Sequence, residues 1–230
     1  MCRMPILENV VMLIKKTNTV QSLHSNILVY GIAGAGKTRL ISTLTDQFVV
    51  SAEGGLLSLV DFDIPYTEVR TLADIREVYQ YLLSKESSQY QTIAIDSISE
   101  IAETILANEK KASKDPRQAY MAMQEMVIEL VRKFRDLPFN IYMTAKVERT
   151  QDELGKLLYS PSMPGTKVGN MLPYFFDEVL ALRVEKGEDN KVVRMLQCQN
   201  DGVWQAKDRS GKLTMWEPLD LQAIINKITK

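Results

Sequence analysis

Residues 31–38 read Gly-Ile-Ala-Gly-Ala-Gly-Lys-Thr. This satisfies G-x-x-x-x-G-K-[ST], the spacing of a phosphate-binding loop, and it restricts the fold more than any other stretch. Such a loop joins a strand to a helix. The run Ile27, Leu28, Val29, Tyr30 before it is short and apolar, as a buried strand is, and 37–46 after it carries Leu40, Ile41 and Leu44 at helical spacing. At that turn, backbone N–H groups and the helix N-terminus favour a polyphosphate. Gly31, Ile32, Ala33, Gly34, Ala35, Gly36, Lys37, Thr38 and Arg39 are therefore expected to hold ATP. Lys37 reaches the outer phosphates, and the Thr38 hydroxyl ligates Mg²⁺.

A chain of 230 residues, 45% hydrophobic and 25% charged, suffices for one α/β domain, and a second compact one is not expected. Its formal charge of −1 excludes a globally basic nucleic-acid binder, so any such contact needs a local patch. His24 is the sole histidine, which excludes multi-histidine metal sites, and Cys2 and Cys198 make no disulfide framework. Residues 1–10 lack a signal-peptide core and no apolar run approaches membrane-spanning length, so a cytoplasmic, soluble protein with no membrane partner is expected.

Residues 1–25 read as a weakly patterned lead-in, with an apolar stretch from Val10 to Ile14, ahead of a domain over 26–230. Strands are expected over 48–51, 92–96 and 139–144, and helices over 74–83, from Ser97 onward and over 116–136. Asp115, Pro116 and Gln118 announce the last helix as cap, first-turn proline and capping-box partner. The Gly-, Pro- and Ser-rich stretch 148–170 reads as a long loop. Strands over 178–184 and 192–198 form a hairpin around 186–190, followed by a short strand over 203–207 and a closing helix over 219–228. Alternating strands and helices predict a mostly parallel central sheet flanked by helices; the late hairpin predicts an antiparallel C-terminal extension.

Asp96 ends a buried strand, where a carboxylate can hold Mg²⁺ beside the phosphates, although the same position suits a helix cap. The next residue is Ser97, so a water-activating carboxylate must come from elsewhere. Glu100 is explained by a capping box with Ser97. Glu53 ends the strand expected beside the phosphate loop, and Gly54 and Gly55 let the chain turn there, so Glu53 can orient and deprotonate water; the alternative is a solvated turn glutamate.

The loop at 31–38, Ala52 to Gly55 and Ile93 to Ser97 together resemble the core of RecA-type ATPases, and in particular the short phage RecA-like ATPases grouped with single-strand annealing proteins. The similarity runs over about residues 26–218 and includes 165–173 and 206–211. It implies a RecA-like P-loop fold and an ATPase that binds single-stranded DNA and assists phage recombination, annealing or replication as a homo-oligomer, ring or filament, with a single-strand binding protein as a possible partner. It gives Thr144 the place of the polar γ-phosphate sensor, while the glutamine usual beside it is Ala145 here. It places one DNA loop over 108–117, with Lys110, Lys111, Lys114 and Arg117, and a second over 146–168, with Lys146, Arg149, Lys156, Lys167 and Tyr159 for base stacking. Solvated charges are the plain alternative for both. It also implies that Lys207 and Arg209, on one face of a short strand, reach into a neighbour's ATP site. Other classes compatible with the loop are a small nucleotide kinase and a nucleotide-dependent switch such as a helicase loader.

Overall fold

The computed structural model describes residues 24–187 and 190–229. Nearly all of the expected lead-in, including Val10 to Ile14, and the tip of the 186–190 turn lie outside the described residues. Among the described residues ten strands form one sheet; eight of them run in the order β10-β8-β7-β1-β5-β4-β2-β3, and β6 and β9 pair off this path. Six of them are parallel: β1 (Asn26–Gly31), β2 (Gln47–Ser51), β3 (Tyr66–Glu68), β4 (Thr92–Asp96), β5 (Asn140–Gln151) and β7 (Glu178–Lys186). The additions are antiparallel. β6 (Leu157–Ser162) pairs with β5, β8 (Val192–Gln197) and β9 (Lys207–Asp208) pair with β7, and β10 (Trp216–Glu217) pairs with β8. The fold class is as expected.

The central strands are buried on both faces, which is why they read as continuous apolar runs. Alternate residues enter two cores. Leu28, Tyr30, Ile93, Ile95, Met143 and Ala145 pack with helices α1 (Leu72–Leu82), α2 (Ile98–Ala112) and α3 (Pro116–Arg135). Ile27, Val29, Ala94 and Tyr142 pack on the other face with Ala35, Leu40, Ile41 and helix α5 (Leu221–Thr229). By the same period of two, Asp96 on β4 and Thr144 and Lys146 on β5 lie on the phosphate-loop face.

Several local expectations need correction. The helix over 37–46 is only a 3₁₀ helix, Arg39–Thr43. The chain must cross the sheet from the end of β1 to the start of β2, about 16–20 Å for strands of this length. Ten α-helical residues rise only about 15 Å, so the longer 3₁₀ rise and extended flanks fill the gap. The loop expected over 148–170 is mostly ordered structure: β5 runs on to Gln151, turns back as β6, and enters α4 (Thr166–Met171). Its residues showed no alternation because this arm has little buried face. In place of the short strand over 203–207 there is an isolated bridge at Trp204, to Tyr159, and a two-residue strand, Lys207–Asp208.

Helix starts also differ. Ser97 caps α2 by accepting from the Glu100 N–H, but the Glu100 carboxylate binds Lys146, so the capping box is half made. Asp115 caps α3 through the Arg117 N–H, while Gln118 Oε1 accepts from Ser113. A full capping box occurs at α1, between Thr71 and Asp74.

Candidate nucleotide site

The loop between β1 and the 3₁₀ helix has two kinds of glycine requirement. A Cβ on Gly31 would lie 2.9 Å from the Leu182 carbonyl oxygen, so the first glycine is steric. Gly34 and Gly36 have φ of 73° and 112°, left-handed values that other residues avoid. The loop borders a cavity of about 520 Å³, lined by Gly31, Ala33, Gly34, Gly36, Lys37 and Thr38, and from elsewhere by Arg39, Glu53, Ser58, Lys146 and Val147.

Lys37 Nζ donates to the carbonyls of Gly31 at 2.9 Å and Ile32 at 3.2 Å, folded over its own loop. Burial lowers its pKa; the charges of Glu53 and Asp96 oppose this and that of Lys146 reinforces it. Ala35 is buried in the core beneath the loop. Arg39 faces away from the glycines: Nη1 donates to the Ser58 carbonyl at 2.8 Å, and the guanidinium lies 4.5 Å from the Phe62 ring centroid. Tyr142 anchors the loop from below, its hydroxyl donating to the Lys37 carbonyl at 2.8 Å. Burial and the charge of Asp96 keep that phenol protonated.

Thr38 Oγ1 donates to Asp96 Oδ2 at 2.6 Å, and Thr144 Oγ1 makes a short hydrogen bond to Asp96 Oδ1. Thr144 is fully buried behind Asp96, so here it orients the carboxylate and does not line the cavity. Thr38 and Asp96 together offer a hydroxyl and a carboxylate. Among the described residues no cluster of three or more His, Cys, Asp or Glu could hold a metal. This donor set fits Mg²⁺, which binds few carboxylates and completes its shell with water and substrate phosphates.

The strand before Glu53 is not beside the phosphate-loop strand, as the sequence had suggested. Two strands, β5 and β4, separate them. Glu53 still reaches the cavity because Ser51 pairs with Asp96 in register and the Ala52 and Glu53 N–H groups both donate to the Asp96 carbonyl, at 2.7 and 3.3 Å. Ser97 Oγ then donates to Glu53 Oε1 at 2.5 Å. Loop lysine, strand-end aspartate and Glu53 thus converge.

The other expected residues lie outside this cavity. Lys110, Lys111, Lys114 and Arg117 are exposed about the turn of the α2–α3 hairpin, with Lys110 over the Tyr120 ring. Arg149 and Lys156 are exposed on the β5–β6 arm, and Lys167 on α4. Tyr159 is already stacked on Trp204, with centroids 4.1 Å apart and planes at 5°, so that face is not free for a base. Lys207 lies on β9 and Arg209 just past its end, and both are engaged within the chain. Lys207 Nζ donates to the carbonyls of Pro173 and Phe176, and Arg209 pairs with Asp177 at 2.6 Å.

Sequence reasoning missed Tyr142 and the role of Lys146 in lining the cavity. Both share the strand phase of Thr144, and that phase was the available signal.

Residues 24–210 match the AAA domain family. No curated protein sequence matches. Among solved structures, the fold is similar to a prototypical ATPase from the type III secretion system of pathogenic bacteria, with a TM-score of 0.51 and 14% identity over 81% of this chain and 57% of that one. The chain thus spans little more than half of that protein, and the likeness concerns the fold. Among the described residues no helix is long and apolar enough to cross a membrane. With a family match over most of its length and the phosphate loop at its centre, the chain belongs to the AAA domain family and has a nucleotide-binding, RecA-like P-loop ATPase fold.

Proposed function

We propose that the chain hydrolyses ATP in this cavity and works as an oligomer on single-stranded DNA, in phage recombination, annealing or replication. The observation that carries the reaction is the convergence of Lys37, Thr38, Asp96 and Glu53, with Glu53 held by Ser97. Lys37 leaves the loop carbonyls for the outer phosphates, where charge-assisted bonds are stronger. Glu53 orients a water and takes its proton as the water oxygen attacks the terminal phosphorus and the bond to the ADP oxygen breaks. Thr38 and Asp96 would hold Mg²⁺, whose chemistry when bound is to neutralise phosphate charge.

DNA binding rests on the exposed bases of the α2–α3 turn and on the family resemblance. Within the pair expected to act on a neighbour's site, Arg209 is the better placed, since it is largely exposed and Lys207 is not.

Lys37→Ala tests the reading. It should lose ATP binding and turnover together, as measured by nucleotide titration and phosphate release with and without single-stranded DNA. Normal hydrolysis by this variant would show that the site lies elsewhere.

A further inference from the structure

The β5 phase puts Lys146 on the same face as Thr144, and its backbone pairs in register with Gly31, the first residue of the phosphate loop. Adjacent strands lie about 4.8 Å apart, so a lysine here easily reaches over the loop. Lys146 and Glu53 both line the phosphate cavity. In the sheet, β5 stands between the strand that carries the loop and the strands that carry Asp96 and Glu53. If Glu53 directs water at a terminal phosphate, that phosphate lies over β5, where Lys146 projects.

The present partners of Lys146 are two carboxylates on α2. Nζ donates to Glu100 Oε2 at 3.0 Å and to the Glu103 oxygens at 2.8 and 2.9 Å. Both glutamates are partly open to water, with side chains 35% and 47% exposed. Exposed ion pairs of this kind are weak, and releasing them leaves the carboxylates in solvent. A phosphate within the cavity is a stronger acceptor.

Two ammonium groups face the cavity. Lys37 and Lys146 both line it, and the charge of Lys146 is felt at Lys37. Two ammonium groups on one cavity repel each other unless an anion comes between them. The Glu53 oxygen is held by Ser97, and both Asp96 oxygens accept from threonines. A triphosphate lying between the two lysines would relieve that repulsion, as Glu100 and Glu103 do for Lys146 from the α2 side.

We propose that Lys146 is a contact for the terminal phosphate of the bound nucleotide, supplied by the same chain, kept at the cavity mouth by Glu100 and Glu103 and transferred from them when a triphosphate binds. This rests on the triphosphate reading of the site. It assigns the lysine expected in a DNA loop to the nucleotide instead.

Affinity for a slowly hydrolysed ATP analogue and for ADP, each with Mg²⁺, tests the proposal on the full chain. Lys146→Ala should lose about tenfold or more in analogue affinity, the scale of one hydrogen bond to a charged group, and keep its ADP affinity. Lys146→Arg should retain much of the analogue binding. Glu100→Gln combined with Glu103→Gln should tighten the analogue and leave ADP unchanged. Equal losses for both nucleotides in Lys146→Ala, or no loss, overturn the proposal. If that variant does not fold, the double glutamine variant decides: unchanged or weaker analogue binding overturns it. Failure of the unaltered protein to bind either nucleotide is a separate result, which removes the triphosphate reading and this proposal with it.

Discussion

Ser97 Oγ donates a 2.5 Å hydrogen bond to Glu53 Oε1 and accepts one of 3.3 Å from the Glu100 N–H. One buried hydroxyl therefore fixes the candidate water-activating carboxylate and caps α2 at the same time. Glu53→Gln should keep nucleotide binding and lose about 10²–10⁴-fold in turnover, the range of general-base catalysis. Ser97→Ala should cost about 1 kcal/mol of stability through the lost cap and reduce turnover less than Glu53→Gln does. Urea unfolding and steady-state hydrolysis separate the two effects. Turnover by Glu53→Gln at the normal rate removes Glu53 from the reaction.

Glu178 gives a pH-dependent stability. It is buried on β7, and burial, with the neighbouring charge of Asp208 next, pushes its pKa up to about 8 from an ordinary 4.5. Between these values the folded chain keeps a proton that the unfolded chain has lost. Stability should therefore fall as pH rises through this window. Asp208 is shifted down, so its own titration lies below the window. Glu178→Gln should flatten that slope and be the more stable protein above pH 8. Thermal or urea midpoints from pH 5 to 9 measure this; an unchanged slope refutes it.

The basic turn between α2 and α3 predicts electrostatic binding of single-stranded DNA with little sequence preference. Changing Lys110, Lys111 and Lys114 together to Ala should reduce the slope of log affinity against log salt by about two, at roughly 0.7 per phosphate contact on a single strand. Basal turnover without DNA should be retained. A slope equal to that of the unaltered protein shows that this turn does not meet phosphate.

Arg209→Ala should bind ATP but hydrolyse it slowly, if its cation serves the next subunit. Lys37→Ala fails at its own site and keeps an intact Arg209. Mixing the two should then recover activity, because some interfaces pair a working loop with a working arginine. Sizing must show that both assemble. Inactive co-assemblies at every ratio would confine Arg209 to its intrachain pair with Asp177, 2.6 Å away.

Local sequence determined the parts of this protein whose physics is local. The glycine spacing of 31–38, the apolar strands ahead of it and at 92–96, and the alternation of strand and helix are short-range patterns, and they led to the fold class and to the phosphate loop. What joins distant segments was not legible. The order of β1, β5, β4 and β2 put Glu53 two strands farther from the loop than expected, and only the Ser51–Asp96 register brings it back. The arm of β5 and β6 is mostly exposed or half-buried, so no hydrophobic period announced it. Charges looked alike in sequence wherever they fell. Tertiary packing alone decided that Lys207 is bonded to backbone carbonyls, that Tyr159 is stacked on Trp204, and that Lys146 faces the cavity. The reason is physical: a charge or a ring is defined by its partners, and partners far apart in the chain meet only once the sheet order is set.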